Sequence, residues 1–155
     1  MNSLDREPSF LRAIDQNAFE THQWNGRAAV ALVTNEHGEI LLQLRDDIQE
    51  IAHPNLWGLL GGGCEDGEDP LQTVLREVFE EAELVAETAD PLYRLIDFEG
   101  SRNLITVFGI ATTEQLTDLR LHEGQDLRFF SLGQTWEIPL VPLVRHLLNE
   151  FSESQ

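Results

Sequence analysis

The feature that most constrains this chain is a glycine-rich turn followed at once by an amphipathic helix with acidic residues on one side. Residues 62–84 read GGCEDGEDPLQTVLREVFEEAEL. Apolar residues recur at helical spacing after the turn, so the pattern predicts a helix that packs one face on a core. Glu77, Glu80 and Glu81 stand at positions i, i+3 and i+4. Three carboxylates therefore project from one face of the helix.

This placement of three carboxylates is unfavourable for a helix by itself. Like charges at these spacings repel by roughly a few tenths of a kcal/mol per pair. The macrodipole also disfavours anions near the C-terminal end of a helix. A bound hard cation would reverse both effects, because Mg²⁺ prefers oxygen ligands and is commonly held by carboxylates together with substrate phosphates. The helix by itself is therefore consistent with either a solvated acidic face or a site for Mg²⁺, with Mn²⁺ as an alternative metal.

The full spacing of the segment resembles the Nudix box, the signature of hydrolases that cleave a nucleoside diphosphate linked to another group. Written out, it is Gly62-x5-Glu68-x7-Arg76-Glu77-Val78-x-Glu80-Glu81-x-Glu83-Leu84. Every fixed position of the family pattern matches except one, where Glu83 replaces a glycine. A glycine there would leave the helix through a left-handed conformation at little cost. Glu83 must adopt that conformation under strain or let the helix continue.

The resemblance implies a role for each matching residue. Glu80 and Glu81 correspond to the principal metal carboxylates. Glu77 corresponds to a position that either binds metal or deprotonates water. Arg76 corresponds to a group that orients the glutamates, by bracing Glu77 or by reaching Glu68, and Glu68 is then structural more than catalytic.

Three residues outside the helix complete the candidate site. The carbonyl of Gly61 can add a metal ligand from the glycine-rich turn. Glu123 lies in a Glu-Gly-Gln segment similar to one in MutT-type members, where the glutamate reaches the metal site; a plain surface loop is the alternative. Arg45 corresponds to an arginine that contacts phosphate in relatives, and a surface arginine is equally consistent with the sequence. Cys64 occupies a position that is usually apolar, which favours packing over nucleophilic catalysis.

Charge and composition exclude several other functions. The chain has 28 acidic and 10 basic side chains, a net charge of −18, and all ten basic residues are arginine. The absence of lysine excludes Schiff-base chemistry and a Walker-type P-loop. Strong acidity disfavours nucleic-acid polymers and anionic membranes as partners. The single cysteine excludes an internal disulfide and a cysteine-rich zinc site.

Length and local pattern predict one domain over residues 1–155, with 1–24 as an N-terminal extension that includes a short helix. We expect no membrane span and no secretory signal, hence a cytoplasmic location. The remaining pattern is mixed α and β, and the resemblance implies an α/β/α sandwich around a mixed β-sheet. The predicted strands cover 27–34, 39–45, 57–63, 92–98, 104–111 and 127–131. The predicted helices are the acidic one from about residue 69 and a closing one over 140–151.

The sequence therefore predicts a Mg²⁺-dependent pyrophosphohydrolase acting on a nucleoside diphosphate-type small molecule, either a nucleoside triphosphate or a nucleotide sugar. Residues 138–142 offer no asparagine, which argues against recognition of an oxidised guanine in the MutT manner. A non-catalytic nucleotide-sensing module is the alternative, and Glu83 keeps it open. A diphosphate isomerase would need a cysteine acid and a histidine-rich site that the spacing does not show. The sequence does not determine the oligomeric state, although Nudix enzymes are often homodimers.

Overall fold

A mixed β-sheet forms the centre of the molecule in the computed structural model, which describes residues 10–12, 23–97 and 100–153. The strands are β1 (Phe10–Arg12), β2 (Arg27–Thr34), β3 (Ile40–Leu44), β4 (Trp57–Gly58), β5 (Leu60–Gly63), β6 (Asp90–Asp97), β7 (Leu104–Ala111) and β8 (Asp126–Phe130). The helices are α1 (Pro70–Ala82), α2 (Leu132–Thr135) and α3 (Pro142–Glu153), with a 3₁₀ turn at Leu116–Asp118. The strand order is β1-β6-β7-β2-β3-β4, with β5 paired to β2 and β8 paired to β3.

Strand β2 organises the sheet because it pairs with three other strands. It runs parallel to β7 over its whole length, from Arg27 opposite Leu104 to Thr34 opposite Ala111. It forms the predicted hairpin with β3 and an antiparallel ladder with β5. The β5 ladder places the glycine-rich turn beside the centre of the sheet, next to the start of the segment that leads into α1.

The sheet is covered on both faces, which gives the α/β/α sandwich that the sequence resemblance implies. One core cluster joins α1, through Val74, Val78 and Ala82, to alternate residues of the sheet. The other joins α3, through Val144 and Leu147, to the opposite face. Side chains that alternate along a strand point to opposite faces, so the mainly apolar β2 serves both cores.

Two predictions about elements are wrong. Phe10–Arg12 form a strand paired antiparallel with β6 rather than part of a short helix; the rest of that predicted helix lies outside the described residues. The closing helix begins at Pro142, not at residue 140, because Leu140 bridges to Trp57 and the N–H of Val141 donates to the Trp57 carbonyl. No helix among the described ranges has the length and apolar character to cross a membrane.

Candidate active site

Helix α1 begins at a fixed residue because its N-terminus is fully capped. The Asp69 side chain accepts a hydrogen bond from the N–H of Gln72 at 2.8 Å, and the Gln72 side chain accepts one from the N–H of Asp69 at 2.9 Å. This reciprocal pair is a capping box, and Pro70 supplies the first helical residue. Each residue advances the helix by about 100°, so the fixed start also fixes the direction of the carboxylates two turns later.

Glu83 ends the helix in the left-handed conformation, with φ 54° and ψ 31°. Its N–H donates to the carbonyl of Phe79 at 2.8 Å, and the next N–H, of Leu84, donates to Val78 at 3.2 Å. The helix therefore stops at the residue where the family pattern has glycine. The Glu83 carboxylate lies 2.6 Å from Nε2 of His122. This contact is available only because the position carries a side chain.

The loop that carries Glu123 is attached to the same end of α1. The N–H of Arg120 donates to the carbonyl of Ala82 at 3.0 Å, and the N–H of His122 donates to the carbonyl of Glu81 at 2.8 Å. Carbonyls in the last turn of a helix have no partner within the helix, so these bonds satisfy two of them. Residues 120–122 thus bring Glu123 to the acidic face of α1.

Arg76 donates hydrogen bonds to three carboxylates from the middle of α1. Its Nε and Nη2 donate to both oxygens of Glu68 at 2.8 and 2.9 Å, a bidentate pair. Its Nη1 donates to Glu77 at 2.9 Å and to Glu80 at 3.1 Å. Hydrogen bonds from Arg76, from the Glu65 N–H and from Thr73 lower the pKa of Glu68 to about 2. Arg76 therefore contacts both candidates that the sequence proposed for it, Glu77 and Glu68.

Glu81 is the buried member of the acidic face, with only 4% of its surface exposed. Its Oε1 accepts from the N–H of Gly61 at 3.2 Å, and its Oε2 accepts from Nε2 of Gln43 at 3.3 Å. Burial, a hydrogen bond with Glu77 and the charge of Glu123 together raise the pKa of Glu81 far above its usual value. Burial and the two neighbouring carboxylates thus disfavour ionisation of Glu81 unless a cation is bound beside it.

The glycine-rich turn contacts this acidic face closely. Gly61 has φ 149°, and a Cβ on it would overlap the carbonyl of Ala29. A Cβ on Gly62 would lie 2.8 Å from Oε1 of Glu77. Only glycine fits at either position without displacing a neighbour. The close approach places the backbone of the turn beside Glu77 and Glu81.

The structure brings the predicted metal ligands to one region but does not gather them around one point. Across residues 10–12, 23–97 and 100–153, no three His, Cys, Asp or Glu side chains converge in the geometry of a metal site. Arg76 instead holds Glu77 and Glu80 by their oxygens. The Glu80 side chain is 56% exposed, so it is free to change rotamer. The donor set still fits a hard divalent cation, because all its ligands are oxygens and a cation would offset the charge around Glu81.

A cavity of about 190 Å³ opens beside the glycine-rich turn. Its walls are contributed by β2, by the segment from β4 to β5, by the end of β6 and by α3. Arg45 and His53 reach it from the loop after β3, and Gly61 and Gly62 form the side next to the acidic face. Arg45 lies just beyond the end of β3, and its Nε donates to the carbonyl of Ala52 at 2.9 Å. A ligand held in the cavity would have one end near the carboxylates.

Sequence reasoning missed two residues of this site, Gln43 and His122. Gln43 is 3% exposed in the strand β3, and its Nε2 donates both to Glu81 and, at 2.7 Å, to the carbonyl of Glu123. A glutamine inside the apolar run ILLQL is the signal that could have identified it, since buried amides need partners. His122 gave no such signal, because its partner lies 39 residues away.

The sandwich, the capped acidic helix and the adjoining cavity place a group of carboxylates beside a cavity. Comparison with known proteins identifies the family. The family model for the NUDIX domain matches residues 24–151. An 8-oxo-dGTP diphosphatase of Haemophilus influenzae is 32% identical over 100 residues, which cover 64% of this chain and 71% of that protein.

Solved structures share the fold. The MutT protein from Methanosarcina mazei Go1 superposes with a TM-score of 0.70 at 23% identity, over 86% of this chain and 96% of that one. The NUDIX domain of Shewanella oneidensis NrtR, solved with ADP ribose, gives a TM-score of 0.69 at 18% identity over 99% of both chains. The chain belongs to the NUDIX family. It is a Nudix hydrolase, of the class that acts on phosphoric anhydride bonds of nucleotides.

Proposed function

We propose that this protein is a metal-dependent pyrophosphohydrolase whose substrate is a nucleoside triphosphate or a nucleotide sugar. The observation that supports this most directly is the position of Glu81. It is buried, next to Glu77 and Glu123, and it faces a glycine-rich turn that borders a cavity. Such a concentration of acidic groups beside a cavity would suit a diphosphate only with a divalent cation bound, which would neutralise charge on both.

The ligands that we assign to the cation, Mg²⁺ or alternatively Mn²⁺, are the carboxylates of Glu77, Glu80, Glu81 and Glu123 and the carbonyl of Gly61. These ligands lie on three converging segments, which are α1, the turn at β5 and the loop before β8. When bound, a divalent cation neutralises phosphate charge and makes a water molecule more acidic.

Residues of the chain supply the proton acceptor, the group that orients it and a contact to phosphate. The alternative role of Glu77 is to accept the proton of the attacking water, for which its carboxylate is suitably placed against Gly62 at the edge of the cavity. Arg76 holds Glu77 in that orientation through Nη1, while its Nε donates to Glu68. Arg45 lies at the cavity wall, where a guanidinium can bind a phosphate oxygen.

The cavity is suited to the part of the substrate that does not react. Its apolar walls include Val30, Leu59 and Val141, and such walls can cover the face of a base or sugar. The relative from Haemophilus influenzae is named for a nucleoside triphosphate substrate, and the Shewanella structure contains ADP ribose. Both are nucleoside diphosphates linked to a further group, which is the substrate class proposed here.

The test is product release from a panel of nucleoside triphosphates and nucleotide sugars, with Mg²⁺, with Mn²⁺ and with neither. The variants are Glu80→Gln and Glu81→Gln, which remove one negative charge each. Glu87→Gln is the matched control, because Glu87 is exposed and lies outside the site. We expect turnover that needs the metal, is abolished in both site variants and is unchanged in the control.

Two results would count against the proposal. Activity retained by both site variants would remove the assigned ligands from the mechanism. Ligand-induced stabilisation of the wild-type protein with no turnover across the panel would instead favour a nucleotide-sensing module.

A further inference from the structure

We propose that Gln43 is a positioning residue that holds the two acidic segments of the site, α1 and the loop at Glu123, in one fixed arrangement. The inference rests on the function proposed above, because it assigns Glu81 and Glu123 to the metal. Gln43 itself touches neither the metal nor the substrate in this assignment. It acts through the residues that do.

The hydrogen bonds of Gln43 reach both acidic segments from one amide group. Nε2 donates to Oε2 of Glu81 at 3.3 Å and to the backbone carbonyl of Glu123 at 2.7 Å. An amide nitrogen carries two hydrogens, so it can serve both acceptors at once. The orientation of the amide is also determined, since a flipped amide would place its oxygen against two acceptors.

The surroundings leave Gln43 little choice of rotamer. The residue is 3% exposed on β3, between strands β4 and β8. Gly124 passes so close that a Cβ on it would lie 2.9 Å from Cγ of Gln43 and 2.6 Å from the Leu44 carbonyl. The next residue, Gln125, donates its N–H to that same carbonyl at 2.7 Å. The loop is therefore fixed to β3 directly after the Gln43 contact, and to the end of α1 directly before it.

Gln43 and Arg76 contact different carboxylates of the acidic face. Arg76 binds Glu77 and Glu80 on the exposed side, whereas Gln43 binds Glu81 on the buried side. A neutral amide orients Glu81 without competing with a cation for its charge, which a second arginine would do. Partners that orient metal ligands typically change metal affinity or activity about 10- to 100-fold when they are replaced.

The experiment compares wild type with the Gln43→Met variant. The methionine side chain is similar in length to glutamine, has no hydrogen-bond donor and suits a buried strand position. Mn²⁺ affinity of the protein without nucleotide, measured by electron paramagnetic resonance, is the first readout. The Mg²⁺ concentration for half-maximal activity, kcat, KM and the urea midpoint are measured on the same samples. Glu81→Gln is the reference for a lost ligand. Gln134→Glu is a control for general stability, because Gln134 caps the distant helix α2 through an oxygen that glutamate retains.

We expect Gln43→Met to weaken Mn²⁺ binding and to raise the Mg²⁺ requirement by about tenfold or more. Gln134→Glu should leave both unchanged. Unchanged Mn²⁺ affinity and Mg²⁺ requirement in a folded Gln43→Met protein, even with a lower urea midpoint, would show a purely structural role and overturn the inference. If wild type binds Mn²⁺ and Glu81→Gln does not, that result leaves the proposed function standing. A wild-type protein that binds no Mn²⁺ would overturn both.

Discussion

The left-handed Glu83 makes a quantitative prediction about stability. Replacing it with glycine should relieve roughly 1–2 kcal/mol of left-handed strain. The greater freedom of glycine in the unfolded chain offsets roughly 0.4–1 kcal/mol of that gain. Alanine keeps the strain, so Glu83→Gly should be more stable than Glu83→Ala by about 1 kcal/mol. Both variants lose the contact with His122, which therefore cancels in the comparison.

The contact with His122 decides how each variant compares with wild type. The side chains of His122 and Glu83 are 51% and 39% exposed, so the pair contributes roughly 0–1 kcal/mol. Glu83→Gly should then lie within about 1 kcal/mol of wild type, and Glu83→Ala should lie at or below it.

Urea unfolding followed by circular dichroism, together with thermal melting, measures both comparisons. For a domain of this size, 1 kcal/mol corresponds to roughly 2–4 °C in Tm. An alanine variant as stable as the glycine variant would refute the reasoning, because it would mean that the backbone at residue 83 carries no left-handed strain.

Two further predictions concern the turn before α1 and its contacts. Gly62→Ala should lower kcat strongly with a small loss of stability, because the new Cβ would displace the carboxylate of Glu77. Gly63→Ala is the matched control, since its Cβ would meet no atom closer than 4.0 Å. Equal kinetics in the two variants would show that a Cβ at residue 62 does not disturb Glu77. The depressed pKa of Glu68 should make Glu68→Gln less stable than wild type at pH 7, with the difference narrowing as pH falls from about 4.5 towards about 2. The sign follows because a carboxylate held ionised by Arg76 stabilises the fold above its unfolded pKa and stops doing so once it is protonated. Urea midpoints at pH 7 and pH 3 test this, and a difference that does not narrow would contradict it.

The sequence predicted the elements whose signals are local. The β2–β3 hairpin follows from two apolar runs around Asn35–Gly38, and α1 follows from the capping residues and the helical spacing. Helix α2 was missed although its own signal was present, because Ser131 and Gln134 form a capping box. The family resemblance, rather than periodicity, supplied the order of the sandwich.

The parts that could not be predicted depend on pairing between distant residues. Strand β1 has only three residues and exists through its partner β6, more than 80 positions along the chain. Gln43 reads as one polar residue in a strand until Glu81 and Glu123, 38 and 80 positions away, are placed beside it. Contacts of this kind leave no periodic trace in a sequence.

The attachment of residues 120–122 to the end of α1 has a consequence for how the protein is made. A nascent chain that has emerged only as far as β7 already contains every residue of the Nudix box. It lacks the loop that satisfies the last carbonyls of α1, and it lacks the partner of Glu83. The end of α1 therefore acquires these partners only after residues 120–122 have also left the ribosome, so the signature segment is complete in sequence well before it is complete in structure.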